Sequence, residues 1–292
     1  MQRYLYGESV KGATHVRNGA PLQDSYRIER VSDEVSIISV ADGHGSEKCP
    51  RSKNGSQIAV NVFCKVMKEY WQKYEQQPES LITWLNREGE LRFAQNICEE
   101  WQRRVRKSFN DSKSEKPLDE NGKTDWKAVY KLYGTTLLGM MITPSYIFAF
   151  QLGDGDIQLV DQQGVSAVVE TEKILGTETH SLSKMDAWRK AVSVVRRREA
   201  VDGLPYMYML STDGFANSYL TEEDFAKTCR EYFEMIREHG FEEVCSNLGK
   251  WLYETSELGC GDDTTVLMAY FEGDCEIEQE SGFNNNTKEQ DE

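Results

Sequence analysis

The chain has 292 residues, room for one large domain or two ordinary ones, and 39% of them are hydrophobic, enough for a sizeable core. A net charge of -15 argues against a general nucleic-acid binder, since phosphate backbones are held by positive surface. No stretch approaches the ~18 apolar residues of a membrane helix, and the N-terminal "MQRYLYGESVKGATH" lacks the apolar region of a signal peptide. The seven cysteines are scattered, with no C-x-x-C pair, as in proteins that keep their thiols reduced. The expectation is a cytoplasmic protein with no nucleic-acid or membrane partner; its oligomeric state is not legible here.

In chain order, the apolar run 35–41 ("VSIISVA") predicts a buried strand. Over 56–74 the residues Ile58, Ala59, Val62, Phe63, Val66, Met67, Tyr70 and Tyr74 recur at helical spacing and form one apolar face. A second helical stretch covers 80–108, and the polar, turn-rich segment 110–126 reads as a surface loop. Strands follow at 135–142 and 146–153, joined by "TPS" as an antiparallel hairpin, then at 157–160 and 206–211. Helical pattern returns over 222–257, broken at Gly240, and a last strand occupies 264–271. Strands and helices do not alternate regularly, so the pattern favours an α+β fold with antiparallel sheets and segregated helices. Residues 1–271 read as one domain. The acidic segment 272–292, nearly free of apolar residues, reads as a disordered tail.

Four of these strands carry an acidic turn: "SIISVADGHG", "FAFQLGDGD", "MYMLSTDGF" and "GCGDDTTVLMAYF". In the first three a strand ends in Asp-Gly; in the fourth, Gly-Asp-Asp opens the strand. A carboxylate at a strand end is held by the sheet, and the glycine after it lets backbone approach a ligand. Any single Asp-Gly is more often only a turn. Gathering Asp42, Asp154, Asp213 and Asp262 on one rim would be costly through repulsion and desolvation unless cations offset it. Oxygen donors without a cysteine or histidine cluster select Mg2+ or Mn2+ over Zn2+. A pair of such ions suits in-line displacement at phosphorus.

Six ordered motifs resemble the metal-dependent, type 2C serine/threonine protein phosphatases: "QDSY" (23–26), "ADGHGS" (41–46), "YGTTLLG" (133–139), "LGDGD" (152–156), "LSTDGF" (210–215) and "GDDTTVLM" (261–268). The stretch 170–183 and the Gln-Asp pair resemble the bacterial branch. The resemblance implies a four-layer α/β/β/α sandwich with two central antiparallel sheets. It implies two core Mn2+ or Mg2+ ions, with a third in some members, held by Asp42, the Gly43 carbonyl, Asp213 and Asp262. Asp154 matches the position of the third ion, and Asp24 the acidic partner near the cleft. By the same resemblance a metal-bridging water attacks a phosphoserine or phosphothreonine of a kinase's phosphoprotein product, and His44 protonates the leaving oxygen as general acid. The rival is a non-catalytic pseudophosphatase that binds a phosphoprotein, disfavoured by the full set of core aspartates.

The chain departs from the family pattern in places. The phosphate-binding arginine has Arg17 as its candidate, at an unusual interval from Gln23; His15 either shares that work or neither residue reaches the cleft. Asp263 stands where the family's last motif usually has Asn, as a residue behind the metal ligands or as a spare ligand. "GDGD" lacks the arginine of the commoner form. The segment 184–199 has six basic residues against two acidic ones, either an attractor for acidic substrate segments or a solvated helix face.

Overall fold

Strands whose two faces are both apolar need cover on both sides, and the fold supplies it with two sheets stacked between two helical layers. The structure is a computed structural model that describes residues 2–170, 179–198 and 203–273. It opens with β1 (Gln2–Val10), the short helix α1 (Ala13–Asn18), β2 (Ser25–Arg30) and β3 (Ser36–Ala41). The helices α2 (Ser52–Tyr74), α3 (Pro78–Glu88) and α4 (Ala94–Asp111) follow, the last two joined by a π-helical turn at Gly89–Phe93, and then α5 (Trp126–Lys131). Next come β4 (Leu137–Ile142), β5 (Tyr146–Leu152), β6 (Asp156–Asp161), β7 (Gly164–Ala167), β8 (Val192–Arg197) and β9 (Tyr206–Ser211). The chain closes with α6 (Asp213–Ala216), α7 (Glu222–His239), α8 (Phe241–Leu258) and β10 (Thr264–Glu272).

One sheet has the order β1-β10-β9-β6-β7 and the other β2-β3-β4-β5-β8, with every pairing antiparallel. Side-chain alternation along the strands divides the core into three. In β3, Ile38 and Val40 point between the sheets, while Ile37 and Ala41 pack under α2 and α4 with Phe63 and Trp101. In β10, Leu267, Ala269 and Phe271 face the other sheet, while Val266, Met268 and Tyr270 meet α7 and α8. This is the four-layer α/β/β/α sandwich expected from the motifs.

The strands predicted at 35–41, 135–142, 146–153, 157–160, 206–211 and 264–271 all form, within a residue or two of those bounds. The 80–108 stretch is helical but carries the π-helical turn, and 222–257 divides at Gly240 (φ 90) into α7 and α8. The basic segment 184–199 corrects its helical alternative. It forms a 3-10 turn at Ala187–Lys190 and then β8, whose valines pair it to β5. Of the expected tail, residues 274–292 lie outside the described residues, as do 171–178 of the 170–183 stretch. No helix among the described residues is long and apolar enough to cross a membrane.

Candidate active site

Register decides which loops meet. Val40 pairs with Leu138 and Leu137 with Leu152, so β3 and β5 end beside the start of β4. In the facing sheet Ser211, the last residue of β9, pairs with Asp156 at the start of β6 and with Val266 near the start of β10. Asp42, Asp154, Asp213 and Asp262 therefore all stand at one end of the sandwich. Carboxylate oxygens of Asp42, Asp154 and Asp213 lie within 4.8 Å of one another. Asp262 stands at the rim, its side chain 52% exposed, and its Oδ1 accepts the Asp263 N–H at 2.8 Å. Asp24 is buried behind this group, where its Oδ2 accepts the hydroxyls of Thr212 (2.7 Å) and Thr265 (2.8 Å).

The first acidic turn is held by the segment that leads into β4. The Asp42 N–H donates to Thr136 Oγ1 at 3.0 Å, and the Asp42 carbonyl accepts the Thr135 hydroxyl at 2.6 Å and the Thr136 N–H at 2.9 Å. Gly43 sits where a Cβ would lie 2.5 Å from the Gln23 carbonyl oxygen and 2.9 Å from that of Ser52, so only glycine lets the turn pass. The His44 N–H donates to the Gly134 carbonyl at 3.1 Å, and the ring occupies the space a Gly134 side chain would take, Cδ2 being 2.6 Å from that Cβ position. "YGTT" thus shapes the turn that carries Asp42 and His44. Nothing in the sequence of that motif alone marks this task. The threonines that hold Asp24 were missed likewise, and their sequence signal is the Thr beside the third and fourth acidic turns.

Electrostatics shows what this gathering costs. Burial, then the charges of Asp24, Asp213, Asp262 and Asp154, pushes the Asp42 carboxyl well above the ordinary carboxylate range. Burial, then Asp154 and Asp262, lifts Asp213 to about 7. Burial likewise raises Asp24 to about 8, against the Thr212 hydroxyl that pulls it down. The Thr179 hydroxyl donates to Asp154 Oδ2 at 2.5 Å, but Asp154 Oδ1 is buried with no hydrogen-bond partner among the described residues. Repelling carboxylates with an orphaned oxygen among them fit a hard divalent cation, which removes the repulsion and fills the open acceptor.

The residues singled out beside the aspartates fare differently. Arg17 is exposed on α1, and its guanidinium reaches the Thr14 hydroxyl at 3.2 Å. Asp263 is not a spare ligand: its Oδ1 accepts the Gly12 N–H and bonds His15 Nδ1, both at 2.8 Å, and its Oδ2 accepts the Gln23 N–H at 2.7 Å. It ties the N-terminal segment to the last acidic loop.

Residues 11–253 match the family described as Protein phosphatase 2C. The chain belongs to that family. It is accordingly a protein serine/threonine phosphatase, an enzyme whose substrates are phosphoproteins, and phosphatases of this family use Mn2+ or Mg2+. No curated protein matches it in sequence. In fold it is similar to the serine/threonine phosphatase of S. agalactiae (15% identity, TM-score 0.56, covering 93% of this chain and 100% of that one). It is also similar to the Mycobacterium tuberculosis phosphatase PstP/Ppp (13% identity, TM-score 0.56, 93% and 99%). A third similar structure is the catalytic domain of PstP in complex with two manganese ions (13% identity, TM-score 0.52, 91% and 97%).

Proposed function

We propose that this phosphatase hydrolyses phosphoserine and phosphothreonine on proteins at the acidic end of the sandwich, with two Mn2+ or Mg2+ ions and room for a third. The observation that carries the proposal is the cluster of Asp42, Asp154 and Asp213 within 4.8 Å, with Asp154 Oδ1 buried and unpartnered. Asp42, the Gly43 carbonyl, Asp213 and Asp262 would hold the core ions, and Asp154 a third; the similar PstP structure is a complex with two manganese ions. Asp24, fixed by Thr212 and Thr265, would add its carboxylate to the metal site from behind that cluster. When bound, the ions supply a water activated for attack on phosphorus and a Lewis acid for the phosphate oxygens.

The chain's own residues do the rest. The threonines before β4 fix the turn, so Asp42 and His44 keep one spacing relative to the ester. A serine or threonine alkoxide leaves poorly unless protonated. The His44 imidazole N–H donates that proton as the phosphorus–oxygen bond breaks, worth ~10²–10⁴-fold in rate. Arg17, exposed beside the site on α1, would meet the phosphate of an incoming phosphoprotein.

The test is phosphate release from a phosphopeptide at varied Mn2+, with and without chelator. Release that requires the ion and stops on chelation is the expected result. Release that survives chelation, or none at any Mn2+ concentration, would refute the proposal, and the second outcome would favour a binding module.

A further inference from the structure

We propose that His15 adds an imidazole nitrogen to this metal centre beside Asp262, and that this ligand shifts the enzyme's preference toward Mn2+ over Mg2+. The inference rests on the metal reading above and names a residue outside its ligand set.

Helix α1 is fastened to the last acidic loop: the Thr14 N–H donates to the Gly261 carbonyl at 2.9 Å, and the Ala13 N–H to Ser256 Oγ at 3.1 Å. On that helix the His15 side chain is 13% exposed, and its Nδ1 lies 2.8 Å from Asp263 Oδ1. Asp263 is itself buried and takes two backbone N–H groups besides, which it does as a carboxylate. A carboxylate only accepts, so His15 Nδ1 carries the proton and Nε2 presents its lone pair.

That lone pair does not face a donor. Nε2 lies 3.7 Å from Asp262 Oδ1. A Cβ built at Gly45 would be 3.3 Å from Nε2 and 3.3 Å from Gln23 Oε1, and Gln23 Oε1 is a buried acceptor with no partner. His15 Nε2 and Gln23 Oε1 thus both border Gly45, and Asp262 Oδ1 lies 3.7 Å from Nε2. An imidazole lone pair and a carboxylate oxygen 3.7 Å apart are reconciled by a cation between them. Two atoms each bound ~2.1 Å from one ion are at most ~4.2 Å apart, so the 3.7 Å between Nε2 and Asp262 Oδ1 fits a shared ion.

A carboxylate holding the far nitrogen of a metal-binding histidine is the usual support for such a ligand. That gives Asp263 its task, in place of the Asn that the family pattern carries. Imidazole suits Mg2+ poorly, because that ion prefers oxygen and keeps its waters. Hence the bias toward Mn2+.

The test uses the full chain loaded with Mn2+. Electron spin-echo modulation of the Mn2+ signal detects a directly bound imidazole, and the modulation changes when histidine carries nitrogen-15. Nitrogen modulation is expected in the wild type and in His44→Asn, and should vanish in His15→Asn. Mn2+ affinity should fall ~10–100-fold in Asp263→Asn, which removes the support of the ligand, and by at least that factor in His15→Asn, with Mg2+ affinity little changed. The wild-type spectrum needs no variant, so a misfolded His15→Asn does not spoil the result. Tight Mn2+ binding without nitrogen modulation would overturn this inference alone and leave the reading above intact. So would a His15→Asn that keeps its Mn2+ affinity but loses inhibition by inorganic phosphate, because the ring would then grip phosphate. Failure of the wild type to bind Mn2+ would overturn both.

Discussion

Asp154 precedes β6 and Asp161 ends it, so the two stand at opposite ends of the sandwich. At the far end Asp161 Oδ1 accepts the N–H groups of Gln163 (2.8 Å) and Gly164 (3.1 Å), closing the turn into β7. Asp119 does the same for its own loop, accepting from Asn121 at 2.9 Å and Lys123 at 2.8 Å. At the site end Asp154 makes no such turn, and its Oδ1 is left buried without a partner. An aspartate whose acceptors serve its neighbours is turn chemistry. One whose acceptor is buried and unused is built for something that arrives from outside the chain.

Substitutions at the two ends should therefore diverge. The largest effect is expected from Asp213→Asn, which should abolish metal-dependent phosphate release while circular dichroism stays native; near-wild-type turnover would remove Asp213 from the ligand set. Next comes His44→Ala, expected to slow alkyl phosphate esters ~10²–10⁴-fold and aryl esters with good leaving groups far less. Equal losses on both would argue against proton donation.

A pH effect of intermediate size follows from the raised carboxyls. Asp213 at about 7 and Asp24 at about 8 sit above the ordinary carboxylate value, so they stabilise the metal-free fold while protonated. That contribution is full below about pH 4 and is lost as pH rises through about 7 to 8. The metal-free Tm should fall over this window, and Mn2+ should raise Tm more at the alkaline end than at the acid end. A metal-free Tm that is flat with pH would count against the crowded site. The smallest change is at the far end. Asp161→Ala should cost about 1 kcal/mol, or ~2–4 °C in Tm, with turnover unchanged; lost turnover there would dissolve the distinction between the ends.

Legibility in the sequence followed burial. β3, β4, β5, β9 and β10 lie inside the sheets, covered on both faces, and their apolar runs announced them. The strands that went unread, β1, β2, β7 and β8, are the four sheet edges. Edge strands carry charge and polarity on the open side, as in "SYRIER" of β2 and the arginines of β8, and this hides their period. The same logic governs the site. Asp42, Asp154 and Asp213 were readable because Asp-Gly at a strand end is a local pattern. The partners of Asp24 and Asp263 were not, because Thr265 and His15 reach them across 241 and 248 residues. No window of sequence contains both members of such a pair.

The pairing of β1 with β10, from Gln2 opposite Glu272 to Val10 opposite Thr264, has a consequence for synthesis. Among the described residues β1 has no strand neighbour in its sheet other than β10, and the loop carrying Asp262 precedes β10 directly. A chain still emerging from the ribosome holds the first acidic turn long before its last one exists. On the proposed ligand set, hydrolysis therefore waits until the loop carrying Asp262 has been made, and a truncation before residue 262 should release no phosphate.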